Sequence, residues 1–235
     1  MSKKKRRELT TKFRDGHEEA PIREKNIIVL PKTSGQKKYI IEIMNNTITF
    51  CVGPAGSGKT AIAVGIALQS ILAKNPIYDK LVVMRPAKEA CGEKIGFLPG
   101  DLEMKMGPWA APIMDNMLIW LEPPLIKKLF YEKKVEVIPL AYARGRSLNK
   151  SFIILDEAQN CNPDQTLMAL TRIGNNSKIV VNGDLQQTDV SDGVNGLEDA
   201  ISRLEGMKDV SVIRLEESDI VRNPIIGQIL KRYNK

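Results

Sequence analysis

Four residues, Gly53, Gly58, Lys59 and Thr60, stand at the spacing G-x-x-x-x-G-K-[ST], a pattern that builds a cradle for phosphate groups. The backbone N–H groups of such a glycine-rich turn can wrap around an anion, and the positive end of the following helix dipole strengthens the attraction. Lys59 is predicted to reach the β- and γ-phosphates of a nucleoside triphosphate, and the Thr60 hydroxyl is predicted to bind Mg²⁺. The predicted cradle consists of Gly53, Pro54, Ala55, Gly56, Ser57, Gly58, Lys59 and Thr60.

Two adjacent carboxylates supply the second half of this chemistry. Asp156 and Glu157 directly follow the apolar run of residues 151–155, which is typical of a buried strand. Beside a phosphate cradle, Asp156 is predicted to hold Mg²⁺ through water and Glu157 to polarise the attacking water. An Asp-Glu pair after an apolar run is common by itself, so this interpretation depends on the cradle.

Two glutamines are further candidates. Gln187 follows the predicted strand of residues 178–182, and ligand groups in open α/β sheets lie at the carboxyl ends of the strands. Gln187 is therefore predicted to orient the lytic water or to sense the γ-phosphate, the alternative being an ordinary polar turn. Gln36, upstream of the cradle, can pair its amide with N6 and N7 of adenine; the alternative is a solvated residue on a helix surface that Ser34 caps.

The order of elements that must position these residues predicts an α/β fold. Apolar strands alternate with amphipathic helices, which indicates a mainly parallel sheet of five or six strands with helices on both faces. Residues 110–131 have helical spacing with a break at Pro123 and Pro124, and residues 163–172 form a helix that Asn162 can cap. Residues 86–109 are rich in glycine and proline, and this segment is longer than a simple connection between two secondary-structure elements usually is.

Length and charge favour one domain with appendages. The chain has 235 residues, 35 Lys plus Arg against 28 Asp plus Glu, and a formal net charge of +7. We expect a basic, mobile tail over residues 1–24, a single domain over residues 25–235, and a functional insertion at about residues 86–131. The basic run of residues 3–7 is a solvated tail or a contact for nucleic acid.

The three cysteines form no C-x-x-C pair, and their odd number argues against a complete disulfide framework. The sequence contains neither a long apolar span nor an apolar segment behind the basic N-terminus. These observations predict a cytoplasmic protein without a membrane segment.

Seven stretches of the sequence resemble the PhoH family of P-loop ATPases, which is similar to the first motor domain of superfamily 1 helicases. The run Gly-Glu-Lys-Ile-Gly-Phe-Leu-Pro-Gly, residues 92–100, is more specific than the phosphate cradle. The resemblance covers roughly residues 27–233. The matching stretches are residues 53–60, 85–100, 143–146, 155–160, 170–174, 183–187 and 219–224.

The resemblance implies a RecA-like P-loop fold, binding and hydrolysis of ATP with Mg²⁺, and a homo-oligomer in the form of a hexameric ring. Arg144 and Arg146 then become candidates for contacting phosphate of ATP or of nucleic acid, with a structural ion pair as the alternative. A one-domain motor needs its transition-state cation from a neighbouring subunit, and Arg222 is the candidate. The chain departs from the family pattern at residues 107–112, where an Arg and an Asp are missing, and at Asn223.

The predicted function is a Mg²⁺-dependent ATPase, and two hypotheses concern what hydrolysis drives. The first is a helicase-like activity coupled to RNA or single-stranded DNA, suggested by the resemblance and the basic balance. The low aromatic content, 5%, counts against base stacking. The second is an ATP-gated assembly or regulatory switch without motor activity. A nuclease has little support because no carboxylate cluster lies outside the predicted ATP site.

Overall fold

Strands and helices alternate along the part of the chain that the computed structural model describes, which is residues 27–86, 102–187, 194–221 and Arg232, with only the backbone for residues 102–109. The strands are β1 Ile48–Val52, β2 Lys80–Arg85, β3 Val135–Pro139, β4 Ser151–Leu155, β5 Lys178–Gly183 and β6 Val210–Arg214. The helices are α1 Ser34–Asn45, α2 Lys59–Ile71, α3 Leu102–Met117, α4 Pro123–Tyr131, α5 Pro163–Leu170 and α6 Gly196–Leu204. Short 3₁₀ turns are Leu140–Ala143, Ala158–Asn160 and Glu217–Asp219.

The six strands form one sheet in the order β3-β2-β4-β5-β1-β6, and every neighbouring pair runs parallel. The predicted α/β fold with a parallel sheet is therefore confirmed. Parallel strands share a carboxyl edge, so the segments that follow β1, β4 and β5 lie side by side. The phosphate cradle follows β1, the Asp-Glu pair follows β4, and Gln187 comes after β5. The fold thus brings the three main sequence signals to one place.

Helices cover both faces of the sheet, as predicted. One face packs α1, α2, α3 and α4 around residues such as Tyr39, Leu68 and Ile113. The other face packs α5, α6 and two of the 3₁₀ turns around residues such as Phe50 and Leu197. Strands β2, β4 and β5 read as continuous apolar runs because both of their faces are buried.

Helix α3 is longer than the sequence predicted, whereas the predicted break at Pro123 is confirmed. Residues 102–109 are helical although they contain Gly107 and Pro108, and the chain leaves the helix after Met117 and starts α4 at Pro123. Proline is tolerated in the first turn of a helix, which explains the start of α4. In α3, Ala110, Ile113 and Met117 are buried at helical spacing in the main core, and this burial outweighs the poor helix propensity of glycine and proline.

One of the two predicted helix caps is confirmed and the other is wrong. Asn162 caps α5, and a reciprocal bond from its backbone N–H to Gln165 completes a capping box. The cap of α1 is Thr33 and not Ser34: the Thr33 Oγ1 accepts a hydrogen bond from the Gln36 backbone N–H at 3.1 Å, and Ser34 is already the first helical residue.

Several sequence predictions lie outside the described residues: the basic tail of residues 1–24, the specific run of residues 92–100 and, apart from Arg232, the last predicted helix, residues 225–233. Among the described helices, none is both long and apolar enough to span a bilayer.

Candidate active site

A cavity of about 390 Å³ opens at the carboxyl edge of the sheet, between the ends of β1, β2, β4 and β5. The predicted cradle forms one wall through five of its members: Ala55, Gly56, Gly58, Lys59 and Thr60. Asp156, Glu157 and Gln187 line it as well. Most residues predicted from the two main motifs therefore share one cavity.

The cradle has the backbone shape that anion binding requires. Gly56 and Gly58 have φ angles of 87° and 86°, a left-handed conformation that side chains with a Cβ rarely adopt. Gly53 is needed for a different reason, because a Cβ there would lie 2.7 Å from the Leu215 carbonyl oxygen. Gly58 is the N-cap of α2 and provides no side-chain cap. The first N–H groups of α2, which have no partner within a helix, thus remain available to an anion.

The carbonyl groups of the cradle are occupied by donors of the protein itself. The Lys59 ammonium donates to the Gly53 carbonyl at 2.6 Å and to the Pro54 carbonyl at 2.9 Å. The backbone N–H of Val221 donates to the Gly56 carbonyl at 3.0 Å. Because these carbonyls already accept from protein donors, their negative charge is partly balanced within the loop itself.

Lys59 is a half-buried cation with three carboxylates near it. Burial lowers the pKa of its ammonium from the ordinary value, while nearby anionic groups, among them Asp184, Glu157 and Asp156, act in the opposite direction. Its two bonds to loop carbonyls favour the charged ammonium, which has three N–H donors.

Thr60 and Asp156 form the contact expected of a magnesium site. The Thr60 Oγ1 donates to the Asp156 Oδ1 at 2.7 Å, so a hydroxyl from α2 and a carboxylate from the end of β4 converge on one spot. Burial raises the pKa of the Asp156 carboxyl, and the Glu157 charge raises it further, whereas Arg85 and the Thr60 hydroxyl lower it. Oxygen ligands of this kind fit Mg²⁺, which binds proteins through few direct ligands and retains water.

Glu157 has an unusual backbone for its residue type. Its φ of 56° and ψ of 39° lie in the left-handed region, which non-glycine residues occupy mainly where the surroundings impose it. The carboxylate is 46% exposed and lines the cavity. Gln159 Nε2 donates to it at 2.7 Å, which fixes its direction. An exposed, oriented carboxylate beside the predicted metal ligand is suited to accept a proton from water.

Arg85 is a site residue that the sequence analysis missed. It ends β2, the strand beside β4, and its Nε lies 3.4 Å from the Asp156 Oδ2. Its Nη2 lies 3.8 Å from the Glu157 Oε1, and the residue lines the cavity. The available signal was its position as the last residue of an apolar strand, at the same edge as the two carboxylates.

Asp184 was also missed, although it is part of the matching stretch that contains Gln187. It is 6% exposed, and its Oδ2 accepts a hydrogen bond from the Ala55 N–H of the cradle at 3.1 Å. Gln159 connects the same loop to the acidic pair, because its Oε1 accepts from the Asp184 N–H at 3.1 Å. Gln187 lies exposed at the cavity wall, as its predicted role requires.

Gln36 lies behind the cradle, with both ends of its amide engaged by the backbone. It is 4% exposed; its Nε2 donates to the Ser57 carbonyl at 3.0 Å, and its Oε1 accepts from the Lys32 N–H at 2.8 Å. An adenine contact stays a prediction, and it would require the amide to share or release both bonds. The geometry favours a role in supporting the loop.

The structure does not bring Arg144 and Arg146 to the cavity. The Arg146 guanidinium donates to the Glu136 carboxylate at 2.8 Å, which is the structural ion pair considered as the alternative. Lys80, the first residue of β2, holds the same carboxylate, so this cluster lies toward the amino ends of the strands. Arg144 is exposed near the same turn. Arg222 lies outside the described residues, and its predicted role in a neighbouring subunit stays a prediction.

Comparison with known proteins gives a family match over nearly the whole chain. The family model described as "PhoH-like protein" matches residues 28–234. The chain is 44% identical over 209 residues to a PhoH-like protein of Synechocystis and 42% identical over 205 residues to one of Bacillus subtilis; these alignments cover 88% and 87% of this chain and 63% of each relative. Protein PhoH of Escherichia coli is 35% identical over 224 residues, which is 94% of this chain and 60% of that protein.

The chain thus spans less than two thirds of the length of these relatives. Among solved structures, the Pif1 helicase of Candida albicans aligns with a TM-score of 0.45 and 18% identity, over 88% of this chain and 43% of the helicase.

Replacing Gln36 with leucine separates loop support from adenine recognition. If the amide supports the cradle, Gln36→Leu should weaken binding of Mg-ATP and Mg-GTP by the same factor, about tenfold, because one buried backbone carbonyl loses its donor. Nucleotide affinities measured by calorimetry for both bases decide the question. A loss confined to ATP would identify Gln36 as the adenine contact.

Replacing Arg85 with methionine tests its role as the counter-charge of the acidic pair. Arg85→Met should lower the free energy of unfolding in EDTA by about 1–3 kcal/mol, because the buried Asp156 loses its cation. Added Mg²⁺ with nucleotide should restore part of this loss. The matched control is Arg203→Met, which removes an exposed partner of Asp199 and should change stability far less than Arg85→Met does. Equal effects of the two substitutions in urea unfolding would contradict the assignment.

Proposed function

The chain belongs to the PhoH-like protein family, and on that premise we propose that it binds ATP together with Mg²⁺ and hydrolyses the terminal phosphate. One observation carries the proposal: the 2.7 Å hydrogen bond that joins Thr60 of the phosphate cradle to Asp156 at the end of β4. It brings a hydroxyl and a carboxylate together at the mouth of a loop shaped for phosphate.

Binding rests on positive charge and backbone donors. The N–H groups at the start of α2 and the Lys59 ammonium hold the phosphate oxygens, and Thr60 with Asp156 holds the metal ion. Bound Mg²⁺ neutralises charge on the phosphate oxygens. Gln36 keeps the loop in place from behind.

Hydrolysis requires a water molecule in line with the terminal phosphate and a base to receive its proton. Glu157 is the base, because its carboxylate lies at the cavity wall and still has free lone pairs after accepting from Gln159. Gln187 faces the same space and orients the water or contacts the terminal phosphate. Most of the acceleration then comes from positioning and charge stabilisation.

RNA or single-stranded DNA is the proposed partner of the ATPase. The formal net charge of +7 favours a polyanion. Around the end of α4, Tyr131 is 86% exposed, with the exposed Lys127 one turn before it and the exposed Lys133 two residues after it. An exposed aromatic ring between cations is the arrangement on which unpaired bases stack. The homo-oligomeric ring with Arg222 acting across subunits is part of the same proposal.

Removing Lys59 or Glu157 tests the ATPase. Lys59→Ala should weaken Mg-ATP binding by about 10- to 100-fold, because a charge-assisted hydrogen bond from a half-buried side chain is lost. Glu157→Gln should preserve binding and reduce turnover by about 10²- to 10⁴-fold, the usual contribution of a general base. Phosphate release and ATP-dependent thermal stabilisation measure the two effects. Lys74→Ala, at an exposed position, is the control. A wild-type rate in the Lys59 or Glu157 variant would refute the assignment.

Nucleic-acid coupling is tested by measuring the ATPase rate with and without single-stranded RNA and DNA at two salt concentrations. We expect stimulation that decreases with salt and is lost in Tyr131→Ala, while the basal rate of that variant stays unchanged. A rate indifferent to nucleic acid would leave the ATPase in place and refute the coupling. An oligomer size that changes with nucleotide would then favour the assembly switch.

A further inference from the structure

Asn182 has a buried amide under the floor of the cavity that none of the roles above uses. It is the fifth residue of β5, it pairs with Cys51 of β1 in the register of the sheet, and it is fully buried. It nevertheless contributes to the wall of the cavity, next to Gly183 and Asp184. An asparagine in the middle of an apolar, parallel sheet is costly unless its polar atoms are satisfied.

The orientation of the amide is fixed by Tyr39. The Tyr39 hydroxyl donates to the Asn182 Oδ1 at 2.7 Å. Burial raises the pKa of the Tyr39 phenol well above its usual value, so the hydroxyl keeps its proton and acts as a donor. The oxygen of the amide therefore faces Tyr39, and the Nδ2 group points the other way.

The Nδ2 of Asn182 has no hydrogen-bond partner among the described residues. A buried N–H donor without an acceptor costs free energy, and native proteins keep such groups rarely. Asn182 lines the same cavity as Lys59, which is a cation, and Asp156, whose Oδ1 accepts from Thr60. Because the Nδ2 has no acceptor within the described part of the chain and its residue lines the cavity, an oxygen acceptor that enters the cavity is the partner that this place calls for.

We propose that Asn182 is a further phosphate-contacting residue, whose Nδ2 donates to an oxygen of the terminal phosphate of a bound nucleoside triphosphate, directly or through one ordered water. Tyr39 is its positioning residue. This inference rests on the proposed function, since it names one more donor for the same ligand. It goes beyond that function because it predicts that the protein binds nucleoside triphosphates more tightly than diphosphates. The residue responsible for this preference lies in strand β5 of the sheet and not in the phosphate cradle.

The two variants Tyr39→Phe/Asn182→Leu and Tyr39→Phe/Asn182→Ala remove both ends of the buried hydrogen bond together with the unsatisfied donor. Replacing both partners by apolar groups is close to neutral for folding, so the free protein should keep its unfolding midpoint or gain stability. If leucine is too large for the space around position 182 and the protein fails to fold, the alanine variant provides the test. The control is Tyr78→Phe, a half-buried tyrosine that packs on Phe152 near the amino ends of the strands.

The experiment compares thermal unfolding and affinity for a non-hydrolysable Mg-ATP analogue and for Mg-ADP. In the double variants we expect affinity for the triphosphate analogue to fall by about 5- to 30-fold, while affinity for ADP changes by less than about twofold. Tyr78→Phe should match the unsubstituted protein with both ligands.

Three results would overturn the inference. Unchanged binding of the analogue by both double variants would exclude a contact from Asn182. An equal loss for analogue and ADP would mean that the pair acts only on the shape of the site. If the analogue does not raise the unfolding midpoint of the unsubstituted protein, the proposed ATP site is wrong, and the role of Asn182 is wrong with it. The first two results, in contrast, contradict only the role of Asn182 and leave the proposed ATP site in place.

Discussion

The candidate site depends on pairing the carbonyl oxygens of one loop with donors of the protein itself. The carbonyls of Gly53, Pro54, Gly56 and Ser57 accept from Lys59 and Ser57 within the cradle, from Gln36 upstream of it and from Val221 far downstream. An anion approaching the loop would be repelled by exposed oxygen atoms and attracted by exposed N–H groups. These bonds therefore do more than stabilise the loop: they decide the sign of the electrostatic potential at its mouth.

Charge balance is the second constraint at the site. Two adjacent carboxylates, Asp156 and Glu157, lie within reach of Arg85 and Lys59, so the free site already contains cations opposite its anions. The Asp184 carboxylate accepts a hydrogen bond from the Ala55 N–H. A phosphate oxygen that binds this N–H would have to replace the carboxylate. Ligand binding at this cavity is consequently an exchange of partners among charged groups, and its energy is a difference between two well-paired arrangements.

Local sequence signals predicted the strands, the cradle and the acidic pair because each depends on residues that are neighbours in the chain. Asn162 as a helix cap belongs to the same class. Arg85 and Asn182 were missed because their importance arises from strand order, which puts β2 and β5 on either side of β4. Gln36 shows the limit most clearly: its residue type fits adenine recognition, and only the fold reveals that backbone groups of Ser57 and Lys32 occupy its amide.

The strand order also has a consequence for when the candidate site forms during synthesis. Strand β1 lies between β5 and β6, so Ile48 pairs with Ile179 and Val210, partners that a ribosome adds more than a hundred residues later. The cradle after β1 further needs Val221 to hold Gly56. During synthesis the glycine-rich segment is thus made early and takes its shape late, after the strands that flank β1 have emerged.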